Sequence, residues 1–269
     1  LSRASLKKGE GRLMDLLKAE QKRISWRTGF ALINYYVADH LWEQAVEVGE
    51  KYMKRYPSNY YIGLKYAKSL CEMGQYSQCI SLLNKMSVLP NEGAYEGRAV
   101  YRAANLYRAI EQLNLGNYES AMKSVEDSKK WPENLGVGKP YDNMIDNRLE
   151  NYLEAKVAKK QGDRQKELEI LSLVANYKFS REYFESGNLL SALALQELGK
   201  VSEADDMVKI WSIRFPNDQK VQWCTAIYHK EYDKAIECLK SRKEQIDSTP
   251  WENSFYDSNF DLLVRLFGL

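Results

Sequence analysis

Apolar residues recur along the chain at helical spacing, in pairs of segments that short polar turns separate. Leu189, Leu190 and Leu193 show the three- and four-residue spacing of one helix face, and Val208 and Trp211 continue it in the next segment. No stretch shows the polar–apolar alternation of a half-buried strand. The pattern therefore predicts an all-α fold, with helix pairs at 27–39/43–55, 60–73/76–87, 94–114/118–130, 144–161/164–176, 182–198/201–214 and 218–229/232–243. It also predicts an N-terminal helix near 10–23 and a last helix near 254–267 that carries Phe255, Phe260, Leu263, Leu266 and Phe267.

Small residues mark the second helix of each pair at a recurring position. The six marker positions are Ala45, Cys79, Ala121, Glu167, Ala204 and Ala235, separated by 34, 42, 46, 37 and 31 residues. Twelve residues before them stand Ile33, Ala67, Ala109, Ala155, Ala192 and Trp223. Antiparallel helices cross closely only where the facing side chains are small. The larger Ile33, Glu167 and Trp223 therefore predict that the first, fourth and sixth pairs are splayed.

The turns between paired helices have their own signature. Gly74, Gly116, Gly162 and Gly199 each lie at the end of a predicted first helix, where glycine readily adopts a left-handed backbone conformation. Tyrosine or valine follows two residues later in three of these turns. The turn, the small residue and the second helix thus form one repeating unit.

These repeating phrases resemble the tetratricopeptide-repeat (TPR) superfamily, whose unit is a helix pair of about 34 residues. The resemblance rests on Gly-x-Tyr-x-x-Cys/Ala at 74–79 and 116–121, and on the Ala-to-Pro spacing at 45–57 and 204–216. It implies an α-α superhelix of about six antiparallel helix pairs over 27–243. An N-terminal helical segment at 1–26 would precede the array, and 244–269 would hold a C-terminal capping helix.

A loop at 131–143, rich in glycine and proline, is expected to interrupt the array. Its sequence WPENLGVGKP (131–140) also resembles a phrase in the repeat regions of large uncharacterised proteins of gut Bacteroidetes. Some of those proteins carry domains linked to carbohydrate handling. This resemblance raises the possibility of a glycan as the bound partner.

The TPR resemblance also implies a concave groove that the first helices line. The expected groove residues are Arg27, Phe30, Asn34, Tyr61, Leu64, Lys68, Tyr95, Arg98, Arg102, Tyr152 and Lys156, with Leu106, Ile110, Leu189 and Leu193 on the same faces. Arg98 and Arg102 are four residues apart, so with Tyr95 they predict a basic, aromatic patch. A solvated arginine face is slightly favoured over this patch. The carboxylate-binding clamp of some superfamily members is not predicted, because Phe30 and Leu64 stand where polar residues would be needed.

Composition and charge narrow the classes of function. The chain has 39 basic and 37 acidic residues, and this balance argues against a nucleic-acid-binding protein. No apolar run is long enough to insert into a membrane. Two histidines, four scattered cysteines and the lack of any catalytic or phosphate-binding motif predict no enzyme activity, no metal and no cofactor.

The function predicted from the sequence is a non-catalytic scaffold that binds a peptide or protein partner in its groove. The nineteen tyrosines fit this function, since tyrosine is favoured in binding surfaces, although many of them can serve in packing. The alternative is an accessory region of a larger extracytoplasmic carbohydrate-handling protein, which would show parallel aromatic rings beside Asp or Asn. A structural spacer, whose groove is filled by its own loop 131–143, is the third possibility. The chain begins at Leu1, so we expect it to extend upstream, and the compartment is left open between bacterial cytoplasm and envelope.

Overall fold

The computed structural model of the chain describes residues 10–91, 94–177, 184–248 and 259–268. These residues form α-helices and two short 3₁₀ turns, and no strand occurs among them. The helices are α1 Glu10–Lys22, α2 Trp26–Ala38, α3 Trp42–Arg55, α4 Tyr60–Glu72, α5 Tyr76–Lys85, α6 Tyr95–Asn114, α7 Tyr118–Ser128, α8 Arg148–Gln161, α9 Arg164–Ala175, α10 Asn188–Glu197, α11 Val201–Arg214, α12 Gln219–Tyr228, α13 Tyr232–Ser248 and α14 Phe260–Leu266. The all-α prediction is confirmed.

The observed helices follow the predicted pairs closely. The pairs are α2/α3, α4/α5, α6/α7, α8/α9, α10/α11 and α12/α13, and most ends agree with the prediction within a few residues. The start of α10 at Asn188 is later than predicted. Part of the predicted last helix, including Phe255, lies outside the described residues. The segment 131–143 contains the 3₁₀ turns Glu133–Leu135 and Asp142–Met144.

The chain divides into two compact units, each of which is described by itself. Unit 1 comprises Leu1–Arg108 and Lys130–Lys139, and unit 2 comprises Ala109–Lys129 and Pro140–Leu269. The chain therefore returns to unit 1 for ten residues after α7 before it continues into α8.

In unit 1, consecutive helices from α1 to α5 pack on one another. The helices α2 and α4, each the first of its pair, also contact each other. Ile33, Ala45, Tyr52 and Ile62 form one buried cluster at the junction of α2, α3 and α4. A Cβ atom placed on Gly29 would lie 2.3 Å from the Tyr52 ring. The absence of a side chain at Gly29 therefore lets α2 approach the aromatic residue on α3.

In unit 2, consecutive helices from α7 to α13 pack on one another, and α10 also contacts the other first helices α8 and α12. Trp223 of α12 is fully buried, with its ring 5.0 Å from Phe260 and 6.2 Å from Phe267. The short α14 and the residue after it therefore pack against Trp223 of α12.

The six marker positions and the six positions that lie twelve residues before them are all buried: Ile33, Ala45, Ala67, Cys79, Ala109, Ala121, Ala155, Glu167, Ala192, Ala204, Trp223 and Ala235. The expectation that the larger residues splay three pairs is corrected, since α2 packs closely on α3, α8 on α9 and α12 on α13. Glu167 fits this crossing because Lys159 and Arg164 neutralise its buried carboxylate, at 3.5 and 2.8 Å. Ion pairing compensates the cost of burying the charge.

The turn between paired helices has a residue in the left-handed region in every pair. Glycine supplies it at Gly74, Gly116, Gly162 and Gly199, with φ between 73° and 81°. His40 (φ 55°) and Lys230 (φ 62°) take the same conformation in the first and last pairs. The turn geometry is thus common to the repeats even where the preferred residue is not.

Candidate partner-binding surface

The starts of α2 and α4 each place aromatic residues in the first helical turn. Ser25 caps α2, because Thr28 N–H donates to Ser25 Oγ at 3.3 Å and Ser25 N–H donates to Thr28 Oγ1 at 2.9 Å. Asn59 caps α4, where its Oδ1 accepts from Ile62 N–H at 3.2 Å. Since α2 and α4 are neighbouring first helices, the residues that follow the two caps meet.

These residues form a group of rings that we call the aromatic stack: Trp26, Phe30, Tyr60 and Tyr61. The Trp26 and Tyr61 rings lie 6.2 Å apart and within 16° of parallel. Tyr60 stacks on Tyr61 at 4.3 Å, and Phe30 meets Tyr61 edge-on at 5.8 Å. Offset and edge-on pairs of this kind are favourable beyond the area that they bury.

A cation completes the arrangement. The Arg27 guanidinium lies 4.6 Å from the centre of the Trp26 ring, within cation–π range. A hydrogen bond between the two tyrosine side chains raises the pKa of the Tyr60 hydroxyl above its ordinary value. The surface therefore combines apolar rings, hydroxyl groups and one positive charge.

The aromatic stack is open to solvent at its centre. Tyr61 is 48% exposed, Arg27 is exposed, and Trp26, Phe30 and Tyr60 are partly buried. Contacts among the rings limit the freedom of each side chain before any partner arrives. Such an exposed but ordered group of aromatic side chains is typical of protein-binding surfaces.

The other residues predicted for the groove in unit 1 have varied environments. Tyr95 is exposed in the first turn of α6, whereas Leu64 of α4 is buried. Asn34 and Lys68 are partly buried. The structure thus brings Arg27, Phe30 and Tyr61 together and leaves Tyr95 as a separate exposed aromatic residue.

The environment of Arg98 differs from the exposed basic patch that the sequence predicts. It is only 5% exposed, and its guanidinium lies 4.6 Å from the centre of the Trp131 ring. Arg102, one turn further along α6, is partly buried. The expectation of an open arginine patch at Arg98 is therefore corrected, because a segment distant in sequence covers this side chain.

In unit 2, Tyr152 and Lys156 lie beside Glu197. The Tyr152 hydroxyl donates to Glu197 Oε1 at 2.8 Å, and the Lys156 ammonium lies 4.6 Å from the centre of the Tyr152 ring. Burial lowers the pKa of Lys156, although Glu197 opposes that change. Both predicted groove residues therefore have partners within unit 2.

Trp26 and Tyr60 are the members of the aromatic stack that are not among the groove residues predicted from the sequence. A local signal for both exists, since each follows directly after a helix-capping residue, Ser25 or Asn59. Recognising their role also requires knowing that α2 and α4 lie side by side. The capping signal shows where each helix starts but not which helices are neighbours.

The described residues include no group of histidine, cysteine and carboxylate side chains that could hold a metal ion. The four cysteines are buried, and His40 and His229 are exposed in turns. Among the helices that the structure describes, none has the length and apolar character needed to cross a membrane.

Antiparallel helix pairs, buried small residues at the marker positions and a left-handed turn within each pair define the class of the fold: it is a TPR-like helical repeat. No protein-family model and no curated protein matches the chain. Among solved structures it is similar to a chain of the APC/C hetero-tetramer Cut9–Hcn1, with 18% sequence identity and a TM-score of 0.41. The alignment covers 95% of this chain and 46% of that chain. The assignment of the fold rests on the helix pairs themselves.

Proposed function

We propose that the protein is a non-catalytic interaction scaffold that binds a peptide or protein partner at the aromatic stack of unit 1. The observation that carries this proposal is the exposed Tyr61 ring, held between Tyr60 and Trp26 on the face of α2 and α4. TPR-like repeats commonly present extended surfaces of this kind to partner proteins.

Physical considerations support a protein partner. Association must offset the entropy lost when interface side chains are ordered, and the stacked rings have already lost much of that freedom. The rings offer apolar area, while the Tyr60 and Tyr61 hydroxyls can hydrogen-bond to a partner backbone. Arg27 adds a charge-assisted donor at the edge of the surface.

A glycan partner is the second candidate, and the near-parallel Trp26 and Tyr61 rings are the observation in its favour. A sugar stacks on the open face of an aromatic ring. Here Tyr60 lies against Tyr61, and the Arg27 guanidinium lies against Trp26, so two of these faces are already in contact with side chains. We therefore place the protein partner first.

The proposal is tested with the chain as bait in a crosslinking pull-down from lysate and envelope fractions. The stack variant carries Arg27→Glu and Tyr61→Ala. Tyr232→Ala in unit 2 is the matched control, since Tyr232 is 49% exposed and Tyr61 is 48% exposed. We expect a discrete protein to be captured by the wild type and the control, with at least a tenfold loss for the stack variant, as for a binding hot spot.

Capture that the stack variant retains would contradict the proposed site. Capture of no protein would contradict the scaffold function in the fractions tested. A glycan array probed with the same three proteins then decides the second candidate. Binding of a defined sugar by the wild type and the control, but not by the stack variant, would establish glycan contact instead.

A further inference from the structure

Residues 131–136 lie on unit 1 in the manner of a bound peptide, and we call them the docked segment. They follow α7 of unit 2 in sequence, yet their contacts are with α5, the 86–89 linker and the first turn of α6. The segment is non-helical apart from one 3₁₀ turn. Four side-chain or backbone features hold it in place.

Asn134 provides the polar contacts. Its Nδ2 donates to Leu83 O at 2.9 Å and to Met86 O at 2.8 Å. Its carbonyl oxygen accepts from Val88 N–H at 2.8 Å. These contacts pair the Met86 carbonyl and the Val88 N–H, which lie beyond the last residue of α5, and they add a second donor to the Leu83 carbonyl, which already accepts from Met86 N–H.

Leu135 provides the apolar contact. Its side chain is fully buried beside Gly97 in the first turn of α6. A Cβ atom on Gly97 would lie 3.2 Å from Leu64 Cδ2 and 3.4 Å from Leu135 Cβ. The glycine thus leaves room for both leucines. Leu64 is one of the residues that the sequence places in the partner groove.

Trp131 and Gly136 hold the two ends of the segment. The Arg98 guanidinium lies 4.6 Å from the centre of the Trp131 ring. Gly136 has φ 76°, and a Cβ atom there would lie 2.9 Å from Val88 O. A residue with a side chain is therefore excluded at Gly136 on two grounds, backbone conformation and contact with the linker.

We infer that this surface of unit 1 is a second binding site, specific for a peptide with the sequence Trp-Pro-x-Asn-Leu-Gly that adopts the same 3₁₀ turn. The docked segment occupies the site, and a partner chain that presents the same four anchors can replace it. The recognition elements are Arg98 for the aromatic ring, the carbonyls of Leu83 and Met86 for Asn, and the space at Gly97 for Leu. This site differs from the aromatic stack and does not depend on it.

Competition within the chain determines when the site can accept a partner. A segment tethered to its own site acts at an effective concentration on the order of millimolar. A separate peptide at micromolar concentration therefore cannot displace it from the wild-type chain. Weakening the docked segment should expose the site to the separate peptide.

The test measures binding of a fluorescent peptide of residues 129–139 to the full chain by anisotropy. Asn134→Ala removes two hydrogen bonds from the docked segment, and Trp131→Ala with Leu135→Ala removes its apolar anchors. We expect the peptide to bind each variant at least tenfold more tightly than it binds the wild type. The same peptide with Gly136→Ala is the matched control and should bind at least tenfold more weakly.

Helical content and melting temperature are measured in parallel for each variant. If the double variant loses its helices, the milder Asn134→Ala variant decides the question alone. The inference is overturned if a folded variant binds the peptide no better than the wild type. The inference is also overturned if the Gly136→Ala peptide binds as tightly as the unmodified peptide. That result would show that the site does not recognise the docked conformation.

Discussion

At the residue scale, the carboxylate of Glu197 links several side chains of unit 2. Its Oε1 accepts from the Tyr152 hydroxyl at 2.8 Å, and its Oε2 accepts from the Lys159 ammonium at 3.0 Å. Burial raises the pKa of Glu197, but the hydrogen bonds from Lys159 and Tyr152 outweigh it, so the pKa lies below its ordinary value of 4.5. A group that binds its proton more weakly in the folded state stabilises that state when ionised.

This linkage predicts the effect of pH on Glu197→Gln. The stabilisation by Glu197 is present above the unfolded-state pKa, near 4.5, and is lost as pH falls through the lower folded-state pKa. At pH 7 we expect the variant to lose about 1 kcal/mol of unfolding free energy, discounted for partial exposure. Below the lowered folded-state pKa the variant and the wild type should converge. Denaturant titrations at several pH values measure both quantities.

Glu203→Gln is the control for this prediction, because Glu203 is exposed and its Lys200 contact is long, at 3.7 Å. It should leave the pH profile of the wild type unchanged. A difference between Glu197→Gln and the wild type that stays constant as pH falls from 7 to well below 4.5 would contradict the assigned role of the carboxylate.

At the element scale, glycines within helices set how closely neighbouring helices approach. A Cβ atom on Gly49 of α3 would lie 2.4 Å from the Tyr66 ring of α4. The contact is possible only because Gly49 has no side chain. The same relation holds between Gly29 of α2 and Tyr52 of α3. Paired glycine and tyrosine thus complement the small marker residues in unit 1.

We therefore predict that Gly49→Ala destabilises the protein although alanine favours helices. The propensity gain is about 1 kcal/mol. Overpacking against the Tyr66 ring should cost about 3 kcal/mol, because the added atom would lie so close to the ring, and should leave a net loss of about 2 kcal/mol. The midpoint of chemical denaturation measures the difference. Gly11→Ala in α1 is the matched control, since nothing lies within 4 Å of its Cβ position, and it should be neutral or slightly stabilising.

The element scale also shows what sequence alone could predict. The marker residues and turn glycines located all six helix pairs, because each signal depends on residues within about one repeat. The contacts of Gly29 and Gly49 with tyrosine rings could not be predicted from the sequence. They depend on which tyrosine of the next helix faces each glycine, and helical periodicity does not specify that choice.

At the scale of the whole molecule, the aromatic stack and the surface under the docked segment both depend on contacts between residues that are distant in sequence. The aromatic stack joins residues more than thirty positions apart, Trp26 and Tyr61. The docked segment reaches Arg98 and the end of α5 from beyond α7. Sequence reasoning named Arg27, Phe30, Tyr61 and Arg98, but it could not show that Arg98 is covered. Only tertiary structure decides which predicted groove residues stay available.

The central claim is that a protein partner contacts the chain at the aromatic stack. Site-specific photo-crosslinking tests it most directly, with a benzophenone-bearing amino acid at position 61 in one sample and at position 232 in another. Both positions carry tyrosines of nearly equal exposure, so general accessibility is matched. The account predicts that irradiation joins a discrete partner to the chain from position 61 and not from position 232. Equal crosslinking from both positions, or none from position 61 in a fraction where the partner is captured, would contradict it.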